Sequence, residues 1–310
     1  MYPAIEIKSL NKSYLSNSKT QPKLALQELD LSIPQGSTFA LLGPNGAGKS
    51  TLINIIAGTA VKTCGLISIM GVNIDLFPKL AKTKIGIVPQ EIVIDTFFTI
   101  YQTLEFAAGY YGIRKNARRT EELLKILGLW EKRGSLPGQL SGGMKRRFLI
   151  AKAMVHSPQV LILDEPSAGV DLDLREQLWN LIKKLNSEGT TIVITTHYLA
   201  EAEELCDQVA FINNGKIIKQ DSKNNLFDEF GSRCIEVEFD NDNFASLLSD
   251  VGLKFDLLAN NKVSIAFNHA SCSLDNLLAN FRNANLVVKN IESKRADFET
   301  IFKKVINSSI

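Results

Sequence analysis

Up to about residue 225, short apolar runs alternate with segments of helical period. Phe39-Ala40-Leu41-Leu42, Val160-Leu161-Ile162-Leu163 and Thr191-Ile192-Val193-Ile194 are each apolar or β-branched throughout, with turn or polar residues on both sides. A strand with one wet face alternates, so unbroken runs of this length predict strands covered on both faces, as in a parallel sheet. The first run ends in a glycine-rich turn and is followed by a helical stretch from Ser50 to Ala57. Met1 to Leu10 alternates apolar and polar positions and reads as a first strand rather than a leader peptide. From about Thr99 to Val155 the pattern is helical: Thr99 with Gln102 three residues on forms a capping box, and an amphipathic helix from about Ala117 to Leu127 stops at Gly128. The predicted architecture is an α/β domain over residues 1–225 with a helical insert at about 99–155.

Asn213-Asn214-Gly215-Lys216 is a hairpin turn signal. Beyond Gly231 the order changes to strand (Ile235–Phe239), helix, strand (Lys254–Leu258), strand (Val263–Phe267), helix (Leu274–Phe281), strand (Leu286–Ile291) and helix (Phe298–Val305). That succession predicts a small α+β domain of ferredoxin-like type over 231–310.

Composition removes several function classes. The 310 residues are 45% hydrophobic and 22% charged, as in globular chains generally, and the formal net charge is +2. Nucleic-acid binders carry a much larger basic excess, so no nucleic-acid partner is expected. Cys64, Cys206, Cys234 and Cys272 are widely separated and form no C-x-x-C pair, which argues for buried free thiols rather than a zinc site. No run approaches the roughly 18 to 20 apolar residues that span a bilayer.

The chemistry begins at Gly43-Pro44-Asn45-Gly46-Ala47-Gly48-Lys49-Ser50, a full G-x-x-x-x-G-K-[ST] match placed after a strand and before a helix, with Thr51 directly behind it. Small residues let the backbone curl until successive N–H groups face one phosphate, and the helix N-terminus adds about half a positive charge. Lys49 would neutralise the β- and γ-phosphates of ATP, and Ser50 would offer a hydroxyl to Mg²⁺. The complementary acidic pair is Asp164-Glu165, at the end of an apolar run. Asp164 would hold hydrated Mg²⁺, and Glu165 would polarise an attacking water as a general base.

Leu140-Ser141-Gly142-Gly143-Met144, upstream of Asp164-Glu165, resembles the signature motif of the ATP-binding-cassette (ABC) ATPases, a branch of the P-loop NTPases. The resemblance covers about residues 1–225 and implies further site residues. Tyr14 matches the aromatic that stacks on adenine. Gln90, in Val88-Pro89-Gln90, matches the glutamine that reaches the metal and the water. Asp171 matches the aspartate of the loop facing the other subunit, and His197 the switch histidine near the γ-phosphate. Ser141, Gly142 and Gly143 are the implied phosphate contacts, while Met144 departs from the family's usual glutamine. The cations Lys145-Arg146-Arg147 open the helix after Ser141, where the dipole disfavours them, and a docked γ-phosphate would account for them.

In this family the signature of one subunit closes the phosphate loop of another. One copy of each motif therefore implies a dimer with a second copy of the chain. The resemblance also implies a membrane-spanning permease that would hold the chain at the cytoplasmic face of the cell membrane. Phe97, Phe98, Tyr101, Phe106, Tyr110 and Tyr111 lie where the family docks its permease. Taken singly, each ring is expected in the core of the insert; together they suit the capture of a partner helix. Thr103-Leu104-Glu105-Phe106 with Gly109-Tyr110-Tyr111-Gly112 resembles the ATPases of ABC-2-type and drug-resistance exporters, as does the tail Ala296-Asp297-Phe298-Glu299-Thr300-Ile301-Phe302. An exporter ATPase is the reading this supports. The alternatives are a soluble cassette acting on ribosomes or DNA, whose members usually carry paired cassettes or long coiled coils, and a nucleotide switch without transport.

Overall fold

The structure is a computed structural model that describes residues 2–14, 23–168, 172–230, 233–240, 244, 247–248, 255–258, 262–267, 274–295 and 298–307. The chain divides into two compact units, 1–223 and 224–310.

The first unit holds two sheets. The first is antiparallel, built from β1 (Ile5–Tyr14), β2 (Lys23–Ile33), β4 (Cys64–Ile69) and β5 (Val72–Asn73) in the order β2-β1-β4-β5. The second contains β3 (Thr38–Leu42), β6 (Ile85–Val88), β7 (Val160–Asp164), β8 (Thr191–Thr196), β9 (Gln208–Asn213) and β10 (Lys216–Ser222), in the order β10-β9-β3-β8-β7-β6. Its strands are parallel except for the β9–β10 hairpin at one edge. Every residue of β3, β7 and β8 is buried, which is why these three runs do not alternate. The hairpin turn carries two successive positive φ angles, Asn214 at 47° and Gly215 at 76°, as a two-residue turn matching the strand twist requires.

α1 (Lys49–Ala57) leaves the end of β3, and α2 (Pro78–Lys84) precedes β6. The insert consists of α3 (Ile100–Tyr110), α4 (Thr120–Ile126) and α5 (Gly142–Met154) with short 3₁₀ turns between them. The Thr99–Gln102 capping box forms in both directions. The second insert helix starts at Thr120, not Ala117, because Lys115–Ala117 closes into a separate 3₁₀ turn; it ends before Gly128, whose φ is 64°. α6 (Leu172–Ser187) and α7 (Leu199–Leu205) complete the unit. Among the described residues no helix is long and apolar enough to cross a membrane.

The second unit begins with α8 (Lys223–Phe230 spans the division) and contains β11 (Arg233–Phe239), β12 (Phe255–Leu257), β13 (Lys262–Phe267), α9 (Leu274–Asn283), β14 (Val288–Arg295) and α10 (Phe298–Asn307). Its sheet is antiparallel throughout, ordered β12-β13-β11-β14. Most of the helix expected after β11 lies outside the described residues, although Phe244, Leu247 and Leu248 are helical. A core of Val237, Phe239, Leu248, Val263, Leu277 and Phe281 belongs to this unit alone. Ala296 and Asp297 of the tail motif lie outside the described residues.

Candidate functional site

The loop between β3 and α1 is shaped by what cannot have a side chain. A Cβ on Gly43 would stand 2.2 Å from the carbonyl oxygen of Ile212, and Gly48, at φ 112°, would bring one to 2.8 Å from that of Ala25. These contacts pin both ends of the loop against β9 and β2. The β9–β10 turn supports it from below: Gly215 N–H donates to the Ala47 carbonyl (2.9 Å), and Gln27 N–H donates to the Gly215 carbonyl (2.9 Å). Lys49 is buried and folds back onto the loop, its Nζ donating to the carbonyls of Gly43 (2.6 Å) and Pro44 (3.1 Å). Burial pulls its pKa below the ordinary lysine value, opposed by Glu165 and Asp164.

Across a cavity of about 800 Å³ the loop faces Gln90, Glu165 and His197. Tyr14, Asn45, Gly46, Gly48, Ser50 and Thr51 also line this cavity. Glu165 follows the last residue of β7 with φ at 45°, a left-handed conformation that costs a non-glycine residue about 1–3 kcal/mol. Its carboxylate accepts from Gln90 Nε2 (2.8 Å) on one oxygen and lies 3.1 Å from His197 Nδ1 on the other. A carboxylate oxygen accepts, so the second contact places a proton on Nδ1. Its backbone N–H donates to the Thr195 carbonyl (2.9 Å), so β8 fixes the strained residue from the opposite side.

Asp164 is buried at the end of β7 and accepts a hydrogen bond from the Thr195 hydroxyl. Burial raises its pKa above the ordinary 3.8, helped by Glu165 and opposed by Thr195, Arg146 and Lys49. The Ser50 hydroxyl lines the cavity whereas Asp164 is not among its lining residues; both offer hard oxygens of the kind Mg²⁺ takes. No cluster of three or more His, Cys, Asp or Glu side chains able to hold a metal exists among the described residues. A site of one carboxylate plus a hydroxyl suits an ion that keeps waters and shares its shell with substrate phosphates.

Ser141 caps α5, its Oγ accepting from Met144 N–H (3.3 Å), and is exposed, as is Gly142. Ser141, Gly142 and Gly143 do not line the cavity above the phosphate loop. Asp171 lies outside the described residues.

Residues 26–168 match the family described as ABC transporter. The chain is 36% identical over 237 residues to the Nod factor export ATP-binding protein I of Rhizobium sp. (strain N33), covering 76% of each chain. It is 39% identical over 215 residues to the linearmycin resistance ATP-binding protein LnrL of Bacillus subtilis (strain 168), covering 69% of each. Among solved structures, the dimeric, post-hydrolysis ATP-binding cassette MJ0796 bound to ADP and Pi superposes with a TM-score of 0.63 at 27% identity, over 70% of this chain and 98% of that one. CbiO1 of Clostridium perfringens, part of the cbiONQ complex, gives 0.64 at 30% identity, over 74% and 92%.

The chain is an ATPase of the ABC transporter family.

Three features of this ABC ATPase are not visible in its motifs. Asn214 and Gly215 line the cavity above the glycine-rich loop although their local signal is only a hairpin turn. Thr195 supports both acidic residues. Two of the three cations opening α5, Arg146 and Arg147, have partners within the chain, so a docked phosphate is not needed to account for them. Arg146 is 4% exposed and gives all its hydrogen bonds to carbonyls inside the same chain, and Arg147 donates from Nη1 to the Leu127 carbonyl (3.1 Å). For these two guanidinium groups the partners are carbonyl oxygens.

The raised pKa of Asp164 has a thermodynamic sign. An acid whose pKa is higher folded than unfolded contributes stability that is full below the ordinary 3.8 and is lost as pH rises through the raised value. At neutral pH its charge therefore weighs against the nucleotide-free fold. Asp164→Asn should keep or raise the melting temperature of the nucleotide-free ABC ATPase at pH 7, and the gain should vanish as the pH falls toward 4. The same variant should lose Mg²⁺-dependent turnover by about 10²-fold. Calorimetry across pH together with a turnover assay checks both.

Proposed function

We propose that the chain powers export of a substrate through a separate membrane-spanning permease, hydrolysing ATP at two sites shared with a second copy of itself. The observation that carries the catalytic part is the Glu165 carboxylate held between Gln90 and His197, facing the phosphate loop across one cavity. Lys49 and the 43–48 backbone would bind the β- and γ-phosphates, and Tyr14, 44% exposed at the cavity rim, would stack on adenine. Ser50, Asp164 and Gln90 would hold Mg²⁺, which supplies charge neutralisation between the phosphates when bound. Glu165 would take the proton of the attacking water, and His197 would orient the γ-phosphate.

The dimer is supported by the position of Ser141–Gly143, exposed or half-exposed and outside the cavity of their own chain. They would cap the nucleotide of the second copy.

Export is supported by the names of the relatives and by the surface that follows Gln90. Phe97 is 86% and Tyr110 91% exposed, and Phe98, Tyr101, Phe106 and Tyr111 are exposed as well. The expectation that each ring sits in the core of the insert is therefore corrected: α3 turns Ile100, Leu104 and Ala107 inward and leaves Tyr101, Phe106 and Tyr110 outside, while Phe97, Phe98 and Tyr111 flank the helix and are exposed. Between α3, α5 and β6 lies a groove of about 510 Å³ lined by Val93, Tyr110, Tyr111, Leu149 and His156. Such a surface suits one face of a partner helix.

A chain carrying Phe97→Glu and Tyr110→Glu tests this. Both positions are exposed, so folding and detergent-free ATP turnover should stay within about twofold of the parent. Co-purification with the permease from membranes should fall by about tenfold or more, because an unpaired charge would be buried at the contact. Unchanged co-purification would place the permease contact elsewhere.

A further inference from the structure

We propose that Arg146 is a positioning residue for hydrolysis: its buried guanidinium ties the Gln90 segment to the end of β7 and so sets the spacing of Gln90 and Glu165. A guanidinium has five N–H groups, and here each has its own carbonyl. Nε donates to Pro166 (3.1 Å), Nη1 to Pro89 (2.6 Å) and Gln90 (3.2 Å), and Nη2 to Asp164 (2.7 Å) and Glu165 (2.6 Å). None of these bonds goes to a carboxylate. The planar fork therefore bridges two backbone segments rather than forming an ion pair, and only arginine has the donors to do so.

The same two segments are joined a second time, by Gln90 Nε2 to Glu165 Oε2 (2.8 Å). The two links differ in permanence. Glu165 must turn its oxygens toward a water, and Gln90 its amide toward metal and water, so the side-chain link has to open during turnover. The backbone link through Arg146 stays, and keeps both residues in register. It also gathers the carbonyls around Glu165, whose φ of 45° needs such support. One rigid helix thus carries Ser141 at its cap and Arg146 one turn later. The inference rests on the roles of Glu165 and Gln90 proposed above.

Lysine at this position keeps the charge, but its three donors share one nitrogen and cannot span both segments. Arg146→Lys in the full chain should bind a fluorescent ATP analogue within about threefold of the parent, while single-turnover hydrolysis falls roughly 10-fold to 100-fold. KM should move little. A folded Arg146→Lys that hydrolyses within twofold of the parent, or one that loses binding as much as hydrolysis, overturns the proposal. If the variant does not fold, hydrogen exchange on the unmodified chain decides. Amides of segments 88–91 and 164–168 should then share one opening with the same denaturant dependence, and separate openings overturn it. Glu165→Gln measured alongside separates the two levels. Full hydrolysis in Glu165→Gln removes the underlying reading, whereas loss in Glu165→Gln with full hydrolysis in Arg146→Lys removes only the role of Arg146.

Discussion

Glu165→Gln should bind ATP as the parent chain does and hydrolyse it about 10²-fold or more slowly in a single turnover. The amide keeps the volume of the carboxylate: its oxygen can still accept from Gln90 Nε2, 2.8 Å from the carboxylate, and its NH2 can donate to His197 Nδ1, 3.1 Å away, once the imidazole carries its proton on Nε2. The amide cannot take a proton. Loss of one negative charge beside Lys49 should not weaken ATP binding, because Glu165 repels phosphate as much as it supports the lysine charge. Binding kept with hydrolysis lost is therefore the signature of a base, and rapid-quench measurement with enzyme in excess over ATP reads it directly. Hydrolysis near the parent rate would take the base role from Glu165.

The second large effect is a gain on mixing two dead chains. Lys49→Ala removes the cation of the phosphate loop. Ser141→Arg places bulk and charge where a γ-phosphate should dock; it also removes the cap bond to Met144 N–H, at about 1 kcal/mol, so its melting curve must be recorded. Each homodimer has two damaged sites and should be nearly inactive. A mixed dimer collects both lesions in one site and leaves the other whole, so mixing should restore activity up to about half per mixed dimer if the sites act independently. Tagged subunits establish that exchange has taken place. With exchange shown, activity that stays at background contradicts either the shared site or the independence of its two halves.

What could be read in the sequence was what local chemistry dictates. The loop from Gly43 to Ser50 is legible because eight consecutive residues must all suit one backbone curl. The strands at 39–42, 160–163 and 191–194 are legible because burial on both faces removes alternation. Arg146 is not legible: its partners lie 18 to 20 and 56 to 57 residues away, and three adjacent cations opening a helix read locally as a place for an anion to dock. The aromatic surface fails for a related reason. A ring in a helix of mixed polarity is usually core, and only the packing of Leu104 and Ala107 decides which side of α3 faces inward. Gly215 under the phosphate loop is likewise a product of sheet order, since β9 neighbours β3 although about 170 residues separate them in the sequence.

The central claim is that one chain holds two halves of different ATP sites and that a second copy completes them. Turnover per chain, measured for the unmodified protein over a wide range of its own concentration at saturating Mg²⁺ and ATP, tests this most directly. A shared site predicts specific activity that climbs in proportion to chain concentration while the dimer is scarce and levels off once it dominates. Specific activity that stays flat down to concentrations where sedimentation shows only single chains would contradict it.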